Sequence, residues 1–176
     1  MQKPNTLKLS AAAVIAAAYA ALTVALAPIS YGAVQFRISE ALTILPFFLP
    51  FSVWGLTAGC VLANLFTGNV FDIVFGTLAT LGAALATAAF GRRGNTVKNR
   101  LLGCLMPVLF NAVIVGAVIT WGYEGMNIFE HPGVFAFNAL TAGLGEAAVL
   151  YLIGYTLMKQ LPKVKFFREF VEKCGK

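Results

Sequence analysis

Arg37, Glu40, Asp72 and Glu146 lie within or at the edges of long apolar stretches, and they are the side chains best placed to do chemistry. A charge at membrane depth costs about 2.5–3.5 kcal/mol or more, so each must be paired, protonated, hydrated or matched by a ligand. One cation cannot neutralise three acids. Mutual pairing for structure, for example Arg37 with Asp72, is the plainer alternative to a binding site. Glu146 is the sharpest case, because it sits about 12 residues into the last apolar segment, ~18 Å from its outer end at the helical rise. Asn138, Ala142 and Gly145 share its broad face, so small residues leave room beside two polar ones. Asn111 has a similar depth in the preceding segment, where it reads equally as glue between helices. Arg37 and Glu40 are three apart and share a face if a helix begins there. Phe36, just before them, could stack on a planar ligand or anchor the loop at the interface. Asn64 and Asn69 either cap or bridge helices.

These residues form no Ser–His–Asp or Cys–His set, no phosphate-binding glycine loop and no metal-ligand cluster. The cysteines Cys60, Cys104 and Cys174 are an odd number, two of them in apolar segments, and suggest neither a disulfide framework nor a metal site. His131, the single histidine, falls in a predicted loop. The expectation is therefore a chain that is not an enzyme, with no cofactor, no metal and no nucleic-acid partner. No nucleotide-binding motif is present, so any ATP hydrolysis would belong to other subunits.

The elements that carry these residues follow from composition. With 59% hydrophobic and 11% charged residues and a mean hydropathy of +0.81, the chain needs lipid as its solvent. In lipid, backbone groups must be satisfied internally, and long apolar runs without period-2 alternation select helices over a barrel. The fold class expected is an all-α integral membrane protein, a six-transmembrane-helix bundle with spans near 9–28, 37–50, 53–69, 72–91, 101–121 and 134–159. Residues 1–160 form one membrane domain. The second and third spans are short, with Pro46, Pro50 and Ser52 marking a tight turn between them. Leu9–Ala27 has the outline of a signal peptide, but Pro28 would follow the scissile bond, so it is taken as the first span.

Sidedness comes from the cations. All but one of the 13 Lys and Arg fall in the N-terminus, the loop of Arg92, Arg93, Lys98 and Arg100, and the tail; Arg37 is the exception. Lys and Arg are retained on the cytoplasmic face, so both termini are expected there in a multi-pass protein of the cell membrane. Trp54 and Trp121 fall at predicted helix ends, as in an aromatic belt. Residues 161–176 form a basic amphipathic cytoplasmic tail, expected to lie on the inner leaflet. In the first span Ala13, Ala17, Ala21 and Ala25 recur every four residues, a small-residue stripe suited to close approach of a neighbouring span or of a separate membrane subunit.

Two blocks, Tyr31-Gly-Ala-Val-Gln-Phe-Arg-Ile-Ser-Glu-Ala-Leu-Thr-Ile-Leu-Pro46 and Gly68-Asn-Val-Phe-Asp-Ile-Val-Phe-Gly-Thr-Leu-Ala-Thr-Leu81, resemble the QueT family. Its members are substrate-binding S components of bacterial energy-coupling factor (ECF) transporters, associated with uptake of queuosine precursors. The resemblance covers roughly residues 8–160. It implies a six-helix bundle with an extracellular-side pocket, joining a transmembrane coupling subunit and two cytoplasmic ATPase subunits. It also implies toppling of the bundle in the membrane during transport, and a 7-deazaguanine cargo: preQ1, preQ0 or queuine. Ala13, Ala17 and Ala21 are similar to the small-residue motif by which S components meet the coupling subunit. A guanine-like edge offers an N–H and an amino group that match one carboxylate bidentately, which Glu146 or Glu40 would supply. Asp72, Asn69 and Asn138 are further candidates, and Arg37 would orient the acids. Three alternatives stay open: an S component for another vitamin or nucleobase, a structural or regulatory membrane subunit, and a stand-alone transporter in which Asp72 or Glu146 carries protons.

Overall fold

The computed structural model describes residues 4–30 and 36–175, and among them every regular element is a helix. Tyr31–Gln35 of the first family block, Lys3 and Lys176 lie outside the described residues. Four helices are long and apolar enough to cross a membrane: Asn5–Ala25, Asp72–Arg92, Val97–Tyr123 and Pro132–Lys163. Two shorter apolar helices, Ile38–Phe47 and Ser52–Leu65, fall between the first and the second of these. In chain order the six are called the first to sixth helices, and Lys165–Gly175 is the tail helix.

The second helix departs from the α-helix expected over 37–50. Its 10 residues form a 3₁₀-helix, in which Pro46 lacks an N–H to give and the Thr43 hydroxyl takes up the Glu40 carbonyl at 2.6 Å. The tighter winding extends the chain. At about 2.0 Å per residue it spans ~20 Å, close to the ~21 Å of the third helix, so both fall short of a ~30 Å bilayer core. Seven of its residues, from Ser39 to Phe47, are buried. It is a central strut, packed on the first, fourth, fifth and sixth helices rather than facing lipid.

Close packing is arranged by small residues. Gly55 and Gly59, a GxxxG pair on the third helix, let the first helix approach so near that a Cβ at either would lie 2.6–2.7 Å from the Ala12 or Ala16 carbonyl. The first helix thus buries Ala16, Tyr19 and Thr23, and leaves Ala13, Ala17, Ala21 and Ala25 exposed on its outer side. One apolar cluster joins Tyr19, Leu56, Cys60 and Ala84, and a second joins Ile44, Phe47, Cys104, Leu150 and Met158. The buried polar groups lie among these helices, where no water offsets an unmade bond.

Three π-helical segments interrupt the long helices, at Asp72–Gly76, Val118–Tyr123 and Val149–Gly154. Such segments recur at functional sites because they free backbone groups and re-aim side chains. At one end of the bundle the basic segments meet: Phe167 of the tail packs edge-on against Phe48 with centroids 5.6 Å apart, and Asn95 lies beside Phe167 and Arg168. Cys174 is buried there, so part of the tail's apolar side rests on the bundle itself, while Phe166 stays exposed.

Gly59→Ala is expected to lower stability by about 1–3 kcal/mol through overpacking against the first helix, whereas Gly133→Ala, with no atom within 4 Å of the added carbon, leaves it unchanged. Thermal unfolding of the detergent-solubilised variants measures both.

Candidate functional site

Glu40 and Glu146 are buried carboxylates contributed by the second and sixth helices, and they lie within electrostatic reach of each other. Arg37 is the cation beside them, with a guanidinium nitrogen 4.0 Å from Glu40 Oε1. The Tyr19 hydroxyl donates to Glu40 Oε1, and the Asn111 side chain lies beside Glu146. Two oxygens, Glu40 Oε2 and Glu146 Oε1, are buried without a hydrogen-bond partner among the described residues. A buried acceptor left unmade costs roughly 1–3 kcal/mol, more if charged, so these two atoms mark where an incoming donor would gain most.

Asn64 on the third helix organises the floor of this cluster. Its oxygen accepts from Arg37 at 3.3 Å, and its amide donates to the Asp72 carbonyl at 2.8 Å and to Cys60 Sγ at 3.3 Å. Asp72 opens a π-helical segment, where carbonyls lack their usual donors, and Asn64 supplies one. Gly76, at the end of that segment, makes room for the amide: a Cβ there would lie 2.9 Å from Asn64 Nδ2. Thr80 adds a hydroxyl on Cys60 Sγ at 3.2 Å.

A second polar group lies toward the helix ends remote from the basic segments. The Tyr123 hydroxyl donates to Asp72 Oδ2, joining the start of the fourth helix to the end of the fifth. Asn138 donates to Thr120 Oγ1 at 3.1 Å and to Glu124 Oε2 at 3.0 Å. Phe71 packs edge-on against Trp121 with centroids 5.4 Å apart, closing the same seam.

The sequence-derived candidates therefore divide. Arg37, Glu40, Asn111 and Glu146 come together in the buried cluster. Asp72 and Asn138 fall in the outer group, each with a partner inside the protein. Asn69 turns its oxygen to the Phe71 N–H at 2.8 Å, as a local cap. Phe36 is exposed. Sequence reasoning left Tyr19 out and treated Asn64 only as a helix cap or bridge. The signal for Tyr19 was available, since Tyr19 and Thr23 are four apart on the side of the first helix opposite the alanine stripe. Thr23 completes that side with a 2.6 Å contact between its Oγ1 and Ser39 Oγ. Among the described residues no group of His, Cys, Asp and Glu is suited to hold a metal.

A buried set of unequal charges between membrane-length helices suits a carrier of polar molecules, and the comparisons with known proteins agree. The model of the QueT transporter family matches residues 9–163. The chain belongs to the QueT transporter family. It is 37% identical over 168 residues, 93% of this chain and 96% of the relative, to the queuosine precursor transporter QueT of Lactococcus lactis subsp. cremoris strain MG1363. No solved structure matches. This QueT family member is accordingly a multi-pass membrane transport protein and not an enzyme.

Asn64→Leu keeps the bulk and removes three hydrogen bonds, to Arg37, Cys60 and the Asp72 carbonyl. Its thermal midpoint in detergent is expected to fall, with a loss of about 1–3 kcal/mol in stability. A midpoint equal to that of the parent protein would mean that Asn64 does not organise the cluster.

Proposed function

We propose that this chain is the substrate-binding S component of a bacterial ECF importer, and that its cargo is a 7-deazaguanine precursor of queuosine. The observation that carries the reading is the pair of buried acids, Glu40 and Glu146, each with one oxygen unbonded among the described residues and with the Arg37 cation beside them. The Lactococcus relative's name supplies the substrate class, and hydrogen-bond chemistry agrees: deazaguanines are rich in N–H donors, and a carboxylate is an acceptor-only group. Glu146 and Glu40 receive those donors, and Arg37 and Asn111 orient the acids. Asp72, Asn69, Asn138 and Phe36 belong to the approach from outside.

Six spans are proposed, with the shorter second and third helices crossing as a recessed hairpin and both termini in the cytoplasm of a cell-membrane protein. The gathering of the tail helix, the Asn95 loop and the N-terminal half of the first helix at one end supports that sidedness, because their cations then share one face. The exposed Ala13, Ala17 and Ala21 offer a coupling subunit a face that none of the described helices covers. Two ATPase subunits would supply the energy. The surplus of acid over base favours a cargo with a cationic aminomethyl arm, preQ1 or queuine, over the nitrile preQ0.

Calorimetric titration of the purified protein with preQ1, preQ0, queuine and guanine, with riboflavin and thiamine as controls, tests this reading. Selective binding of a deazaguanine is expected, weakened by about 10-fold or more in Glu146→Gln as a buried charge-assisted hydrogen bond is lost. Binding of a control vitamin in place of every deazaguanine would move the cargo elsewhere. Equal affinity for preQ1 and preQ0 would remove the charge preference alone.

A further inference from the structure

Glu40 is held by one oxygen and open at the other, and Glu146 has an open oxygen of its own. Tyr19 is fully buried on the first helix and gives its hydroxyl to Glu40 Oε1; Asn111 on the fifth helix lies beside Glu146. The open atoms are Glu40 Oε2 and Glu146 Oε1. A carboxylate with a fixed donor on one oxygen cannot easily present both oxygens to one planar edge of a ligand, since the second would have to release its internal partner inside an apolar bundle.

We infer that Tyr19 is a positioning residue that holds Glu40 by Oε1 and leaves Oε2 as a single acceptor, so that substrate gives separate N–H donors to Glu40 Oε2 and Glu146 Oε1. This rests on the reading that the buried cluster is the substrate site, and it replaces the expectation of Glu40 clasping one edge bidentately. The chemistry selected is a flat heterocycle with at least two N–H donors, which a 7-deazaguanine supplies through its N1–H, its amino group and its pyrrole N–H. Tyr19 has a further consequence: its helix carries the exposed alanine stripe on the opposite side, so the residue that sets Glu40 stands on the element proposed to meet the coupling subunit.

The test is a set of double-mutant cycles in preQ1 affinity, measured by calorimetry on the full-length protein. Tyr19→Phe retains the ring and its packing, and is expected to weaken binding about 10-fold, the scale of one buried hydrogen bond. In a Glu40→Gln background its cost should fall below about 3-fold, while in a Glu146→Gln background it stays near 10-fold. Equal costs in every background would make Tyr19 structural only and overturn the inference. If Glu40→Gln does not fold, ligands replace it. The Tyr19→Phe cost should vanish for the preQ1 analogue N-methylated at the donor that meets Glu40 and persist for analogues methylated at its other nitrogens, and a uniform cost overturns the proposal. Wild-type protein that binds no deazaguanine fails the functional reading and this inference with it; tight wild-type binding with additive cycles fails the inference alone.

Discussion

Placing two carboxylates and one guanidinium where water is excluded costs several kcal/mol per ion, and most of the bundle's irregular features are arrangements for holding them. Arg37 satisfies part of the charge on Glu40, and Tyr19, Asn64 and Asn111 provide neutral donors and acceptors around the three. Replacing such groups by apolar side chains of the same size often stabilises a protein, so their retention here is better explained by recognition than by folding. What the protein leaves unmade, one oxygen on each acid, is what a substrate can complete.

The backbone follows from that demand. A short 3₁₀ strut brings Arg37 and Glu40 to the middle of the bundle with 10 residues, where an α-helix of the same length would reach only about 15 Å. Its neighbours come close enough to enclose it because Gly55 and Gly59 let the first helix sit against the third. The π-helical opening of the fourth helix turns the Asp72 carbonyl toward Asn64 and the Asp72 carboxylate toward Tyr123, so one residue ties the inner cluster to the outer seam. Phe71 with Trp121, and Asn138 with Glu124, continue that seam.

Much of this was legible in the chain, and for identifiable reasons. Hydropathy is summed along one dimension, so the apolar segments and the placement of Glu146, Glu40 and Arg37 inside the helical bundle could be read directly. The two residue blocks pointed to the QueT family. Pairings across helices could not be read that way. Tyr19 reaches Glu40 across 21 residues of sequence, and Tyr123 reaches Asp72 across 51, distances over which periodicity carries no information. Asn138 looked like a companion of Glu146 because both lie on one broad face, but two helical turns separate them, and its partners are Thr120 and Glu124. The 3₁₀ winding was hidden for a related reason: Pro46 signals a lost donor, but only the packing of four helices decides how the chain compensates.

The central claim is that the open oxygens of Glu40 and Glu146 are the substrate's landing points. The most direct measurement is an experimental structure of the purified protein with preQ1 bound. The account predicts N–H donors of the heterocycle within hydrogen-bond distance of both Glu40 Oε2 and Glu146 Oε1, with Tyr19 still on Glu40 Oε1. A ligand seated instead in the outer group of Asp72, Tyr123 and Asn138, with Glu40 and Glu146 untouched, would contradict it.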